Sequence, residues 1–182
     1  FMLGDKANPE AVDKLLPKGY AVASLNYRLS GEAKFPAPVQ DAKTAVRWLR
    51  ANAAKYNLNP QKFAAWGASA GGNLVAMLGT SCGVEALEGK ELGNADQSSC
   101  VQAVVDWFGP TDFLQMDKQF AGTSCPQTHD AADSPESKLI GAAIQTKPDV
   151  VKAANPITYV SPKSPPFFIG MQLNFPPASP LA

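Results

Sequence analysis

Ser69 lies at the centre of Gly67-Ala68-Ser69-Ala70-Gly71, a G-x-S-x-G pentapeptide. Before it, Phe63 to Trp66 read as a short buried strand. After it, an apolar run from Gly72 reads as a helix, so the five residues form a sharp strand-to-helix bend. Such a bend leaves little room two positions either side of the serine. Glycine at 67 and 71 takes Cβ atoms out of that space, and alanine at 68 and 70 keeps the flanks small. The bend predicts a positive φ at Ser69, with Oγ lifted above the end of the sheet. The helix behind it aims unpaired N–H groups and a partial positive charge at the place where an oxyanion forms, and the Ala70 N–H is the natural donor. These residue types at this spacing permit nucleophilic acyl transfer, with Ser69 as the nucleophile.

A nucleophilic serine needs a base, and His129 is the only histidine. It stands in Cys125-Pro126-Gln127-Thr128-His129-Asp130. One reading has a covering loop deliver it to Ser69 as the base, oriented by Asp130 or Asp133. The reading favoured here is a solvated loop histidine, which predicts that Nε2 lies beyond hydrogen-bond reach of Ser69 Oγ. Asp106, inside a strand pattern, reads as a structural hydrogen-bonding carboxylate. Arg28 and Asp41 read as a structural pair where a strand end meets the next helix. Asp130, Asp133 and Glu136 have a spacing that points only weakly to calcium and read as a solvated acidic loop. Trp107, Phe108, Phe113 and Phe120 suit an acyl or aromatic pocket and core packing equally well.

The elements that must position these residues follow from pattern. Asn8 caps a helix over Pro9 to Leu16, ended by Lys18-Gly19. Tyr20 to Tyr27 reads as a strand buried on both faces. Pro36 to Tyr56 reads as a helix, because Val39, Ala42, Val46, Leu49, Ala53 and Tyr56 recur at three- and four-residue spacing. Ser81 to Ser99 is polar and irregular, with a helical turn at Glu85 to Glu88. Val101 to Phe108 is a buried strand stopped by Gly109-Pro110. Residues Thr111 to Ser164 form a long lid-like insertion with short helices at Ser134 to Ile144 and Pro148 to Ala154. Phe167 to Ile169 is a last strand. Alternating strands and helices imply parallel strands with right-handed crossovers, and a crevice at their carboxyl ends, where Ser69 sits.

Composition narrows the function classes. The 182 residues are 45% hydrophobic and 18% charged with no net charge, which suits one globular domain and no nucleic-acid partner. No apolar run reaches the roughly 20 residues of a membrane span. The opening FMLGDKANPE carries no signal-peptide pattern and reads as an interior point of a longer protein. Cys82, Cys100 and Cys125 lie in predicted loops without metal-ligand spacing. Their odd number leaves at least one thiol free and allows one disulfide of unassigned pairing. No cofactor is implied.

The run from Asn26-Tyr27-Arg28-Leu29 through Phe35-Pro36-Ala37, Asp41, Trp48-Leu49 and the G-x-S-x-G bend resembles the central part of α/β-hydrolase esterases and lipases, especially the bacterial branch near hormone-sensitive lipase and feruloyl esterases. Asp106-Trp107-Phe108-Gly109-Pro110-Thr111-Asp112 and Asp133-Ser134-Pro135-Glu136-Ser137 are similar to that branch too, and the likeness runs to about Ile169. It implies a partial α/β-hydrolase fold: a mostly parallel sheet of three or four strands, helices on both faces and a lid. It implies carboxylic-ester hydrolysis by a Ser-His-Asp triad, with Ser69 as nucleophile, Ala70 as one oxyanion donor, and small or aryl esters as substrates. The chain departs from the pattern in three places. It begins just after the family's His-Gly-Gly loop, which gives the second oxyanion donor. Gly170-Met171-Gln172-Leu173-Asn174 stands where a His-Gly-x-x-Asp stretch is expected. The family histidine belongs after a further strand, beyond Ala182. Some hydrolases of this fold carry the acid after the preceding strand, which makes Asp112 a candidate, although a turn-capping role is favoured. The alternative expectation is a catalytically inactive remnant of the fold, with open sheet edges that promote self-association.

Overall fold

A computed structural model describes residues 1–7, 12–122 and 128–171. The ordered elements are α1 (Val12–Leu15), α2 (Ala37–Ala51), β1 (Ala64–Ala68), α3 (Ala70–Thr80), α4 (Glu85–Glu88), β2 (Ala103–Trp107), α5 (Met116–Phe120), α6 (Pro135–Ile140), α7 (Pro148–Ala154) and β3 (Phe167–Gly170). The strands form one parallel sheet in the order β1-β2-β3. Of the helix expected over 9–16, only its end is seen, as α1; Asn8 and Pro9 lie outside the described residues. The helix expected to Tyr56 stops at Ala51, where Asn52 turns its own N–H and its side-chain amide back onto the Trp48 carbonyl.

Register decides which face is core. Ala65, Val104 and Phe167 lie side by side and meet Ala42 and Val46 of α2 and Val75 and Leu78 of α3. Residues Gly72 to Gly79 of α3 are all buried, as expected of a helix apolar all round. The next register row, Trp66, Val105 and Phe168, points the other way. Trp66 is 38% and Phe168 59% exposed, and Trp107 packs edge-on against Phe168. The expectation of helices on both faces is therefore corrected: among the described residues, α2 and α3 cover one face and the other stands open.

A second correction concerns Tyr20 to Tyr27. It forms no strand, and Tyr20 is 62% exposed. A strand exists only through ladder bonds to a neighbour, and among the described residues nothing pairs with this segment. The apolar alternation is present, but no sheet edge meets it.

The polar stretch after α3 is held firmly. A disulfide joins Cys82 to Cys100, and Cys125 lies outside the described residues. Beneath it, Lys43 Nζ donates to Ser81 O at 2.7 Å and Glu88 Oε1 at 2.8 Å. Arg47 donates to Glu88 O at 2.6 Å, Glu88 Oε2 at 3.3 Å and Gly89 O at 2.8 Å. Ser99 Oγ donates to Glu88 Oε1. Burial holds the Lys43 ammonium below its ordinary range despite Glu88. For Glu88, burial alone pushes the carboxyl up, but the hydrogen bonds from Lys43 and Ser99 and the charges of Lys43 and Arg47 together bring it below.

The insertion between β2 and β3 has its own core. Phe113, Leu139, Ile140, Ile144, Val151 and Ala154 pack with Phe1, each at most 9% exposed. Buried Asn73 of α3 ties it down, donating to Pro110 O at 2.8 Å.

Candidate active site

The bend after β1 takes the conformation its residue types predict. Ser69 has φ 53° and ψ −119°, a region a non-glycine residue occupies only when its surroundings enforce it. The enforcing contacts are visible. Ser69 N–H donates to Trp107 O at 2.9 Å, and Asn73 N–H returns to Ser69 O at 3.1 Å. Phe108, at the end of β2, is also at positive φ, 46°, and donates to Gly170 O at 2.7 Å. The carboxyl ends of all three strands are thus laced together under the serine.

Glycine is required at some of these positions and not at others. A Cβ at Gly67 would fall 2.5 Å from the Gly71 carbonyl carbon, so the bend cannot close with a larger residue. A Cβ at Gly71 would meet nothing within 4 Å, which corrects the steric reason expected for that position. The tight crossing lies one residue on: a Cβ at Gly72 would fall 2.7 Å from Gly109 Cα. Buried Asp106 sits at the same crossing and accepts from Gly109 N–H at 2.8 Å. Burial raises its carboxyl above the ordinary range, and that hydrogen bond only partly opposes the rise.

Ser69 is solvent-exposed, and its hydroxyl makes no hydrogen bond to any described residue, His129 included. The Ala70 N–H at the head of α3 is also without a backbone acceptor among the described residues, as the first turn of a helix requires. Ser69, Ala70 and Gly71 border a pocket of about 530 Å³. The facing walls come from 1–5, 25–27 and Leu29, with Pro110, His129, Pro135 and Glu136 also bordering it. Ser30 pins the first wall by donating from N–H and Oγ to Phe1 O.

Other expected residues fall elsewhere. Asp112 does not border the pocket; its Oδ1 accepts from Asn155 Nδ2 at 3.0 Å. Trp107, Phe108, Phe113 and Phe120 do not border it either; Phe113 is core, and Trp107 lies on the open sheet face. Arg28 and Asp41 form the expected pair through both Nε and Nη2, at 2.7 to 3.0 Å. His129 borders the pocket, and the expectation of a solvated loop histidine is corrected, since its side chain is only 17% exposed; Asp130 and Asp133 do not orient it. Its Nδ1 lies 2.9 Å from Glu136 Oε2, and Asp117 holds its backbone N–H. The proposed acidic loop is therefore not one solvated cluster: Glu136 is buried, and Asp130 and Asp133 are exposed. Among the described residues no three Asp, Glu, His or Cys side chains gather as a metal site, and no helix is long and apolar enough to cross a membrane.

Comparison with known proteins places this geometry. The BD-FAE family model matches residues 1–172. The chain is 29% identical over 158 residues to Esterase LipC of Mycobacterium tuberculosis, covering 87% of this chain and 37% of that protein. Among solved structures, a bifunctional GH43-CE of Bacteroides eggerthii superposes with a TM-score of 0.79 at 42% identity, over 87% of this chain and 22% of that one. A truncated form of a carbohydrate esterase from gut microbiota gives a TM-score of 0.73 at 37% identity, over 81% of this chain and 53% of the other. The chain spans 37% of the length of Esterase LipC and 35% of that of Esterase LipQ from the same organism.

Proposed function

The chain belongs to the BD-FAE family and has an α/β-hydrolase fold, and from that premise we propose that it carries the nucleophile of a serine carboxylic-ester hydrolase. Ser69 Oγ attacks the acyl carbon, the acyl–oxygen bond to the alcohol breaks, and the alcohol leaves with a proton. Water then cleaves the acyl-enzyme and restores the hydroxyl. The Ala70 N–H donates to the oxyanion in both halves. Esters of small or aryl alcohols fit the open pocket, and the carbohydrate esterases among the solved neighbours favour esters of sugars. The observation that carries this reading is a serine at φ 53° whose hydroxyl, unbonded among the described residues, borders a pocket of about 530 Å³ at the head of a buried helix.

Reaction with a fluorophosphonate tests it. Peptide mass spectrometry is expected to find one adduct, on Ser69. An unmodified Ser69 after exposure that fully labels a control esterase would remove the assignment.

We also propose that the chain self-associates through its open sheet face, where Trp66 and Phe168 leave apolar area in water. Size-exclusion chromatography with light scattering is expected to give a dimer or larger species, and Trp66→Lys is expected to shift it toward monomer. A wild-type chain that elutes as a compact monomer rejects this association.

A further inference from the structure

Acyl transfer at Ser69 leaves one polar pair at the pocket wall without a part in it. Glu136 is 4% exposed, and among the described residues its carboxylate bonds only to His129 Nδ1, at 2.9 Å. Both residues border the pocket that holds Ser69. A carboxylate accepts, so Nδ1 faces it as the donor and Nε2 is the ring nitrogen left to meet a ligand. The rest of His129 is fixed too. Its N–H donates to Asp117 Oδ1 and the Asp130 N–H to Asp117 Oδ2, both at 2.8 Å. The Phe120 ring lies 6.5 Å from the imidazole, centre to centre. On the facing wall Asn26 spends Oδ1 on the Lys6 N–H, which leaves its Nδ2 hydrogens for an incoming oxygen. A clamped ring with one nitrogen unbonded among the described residues, opposite an amide donor likewise unbonded, matches a ligand that carries hydroxyl groups, which both donate and accept.

We propose that the His129–Glu136 pair recognises the alcohol half of the ester. Glu136 holds the imidazole through Nδ1, and Nε2 hydrogen-bonds to a hydroxyl of a sugar alcohol whose acyl group lies on Ser69. This rests on the reading of Ser69 as the acylated residue. It gives the pocket a preference for hydroxyl-bearing alcohols over apolar ones of the same size, because an apolar alcohol covers His129 Nε2 without giving it a partner.

His129 is the only histidine, so its ring nitrogens give one set of NMR signals. Titrating the 182-residue chain with methyl β-D-xylopyranoside is expected to move the Nε2 resonance to saturation. Tetrahydropyran, the same ring without hydroxyls, is expected to leave it in place. Glu136→Gln should weaken apparent xyloside affinity about tenfold, the size of one hydrogen bond. Because Glu136 is buried, His129→Gln provides a second variant: xyloside binding seen by saturation transfer should drop while circular dichroism stays native. No Nε2 response to the xyloside, or an equal response to tetrahydropyran, overturns the proposal. Loss of fluorophosphonate labelling of Ser69 in His129→Gln also overturns it, since His129 is then the base. Labelling without an Nε2 response removes the recognition pair and leaves the esterase reading standing; an Nε2 response without labelling does the reverse.

Discussion

Glu88→Gln is expected to lower the unfolding free energy at neutral pH by about 3–5 kcal/mol. Lys43 and Arg47 are 0% and 1% exposed, and among the described residues Glu88 is the only carboxylate paired with either. Glutamine keeps the shape and an acceptor oxygen but leaves two cations buried without a counter-charge. A loss of that size is a large share of the 5–15 kcal/mol typical of a domain. Urea unfolding at pH 7 measures it. The pH dependence has a definite sign. Glu88 is held below its ordinary value of about 4.3, so its contribution is fully present above that value and is lost as pH falls through the folded one. The gap between wild type and variant should therefore narrow in acid. A gap below about 1 kcal/mol at pH 7 would place the network among pairs of no net worth.

Ser69→Ala is expected to bring turnover of a nitrophenyl acetate down to the uncatalysed rate, because the acyl-enzyme has no other oxygen to form on in the proposed reaction. The thermal midpoint should barely move. The hydroxyl makes no hydrogen bond to a described residue, and alanine meets the same backbone strain at φ 53°, so the stability change should stay within about 0.5 kcal/mol. The combination is diagnostic: catalysis lost, fold kept. Residual turnover near wild type would assign hydrolysis to another group. A large drop in midpoint would mean that the side chain is structural.

The residues that bear on this chemistry differ in how far local sequence reveals them. The bend was legible because its constraint is local: strand, two small flanks, serine, helix. The stripe from Val39 to Val46 was legible because helical periodicity needs no knowledge of the partner. Tyr20 to Tyr27 misled because a strand pattern reports only that a pairing partner would be welcome. Gly72 and Gly109 were missed, and Gly71 overvalued, because the tight crossing joins residues 37 apart in sequence at Asp106, which no short motif encodes. Glu136 was passed over for Asp130 and Asp133, which are nearer to His129 in sequence. The first turn of α6 carries Glu136 inward under the imidazole, and that turn is a tertiary outcome. The Cys82–Cys100 pairing likewise depends on where the 81–100 segment folds back.

The insertion between β2 and β3 has a consequence for how substrate arrives. With an apolar centre against Phe1 and the Asn73 amide bonded to Pro110 O, the described part of the insertion is anchored to α3 as a buttress. On the proposed reading of Ser69, passage along that anchored wall requires no opening motion of it, and encounter with an ester should follow solvent viscosity and ligand size.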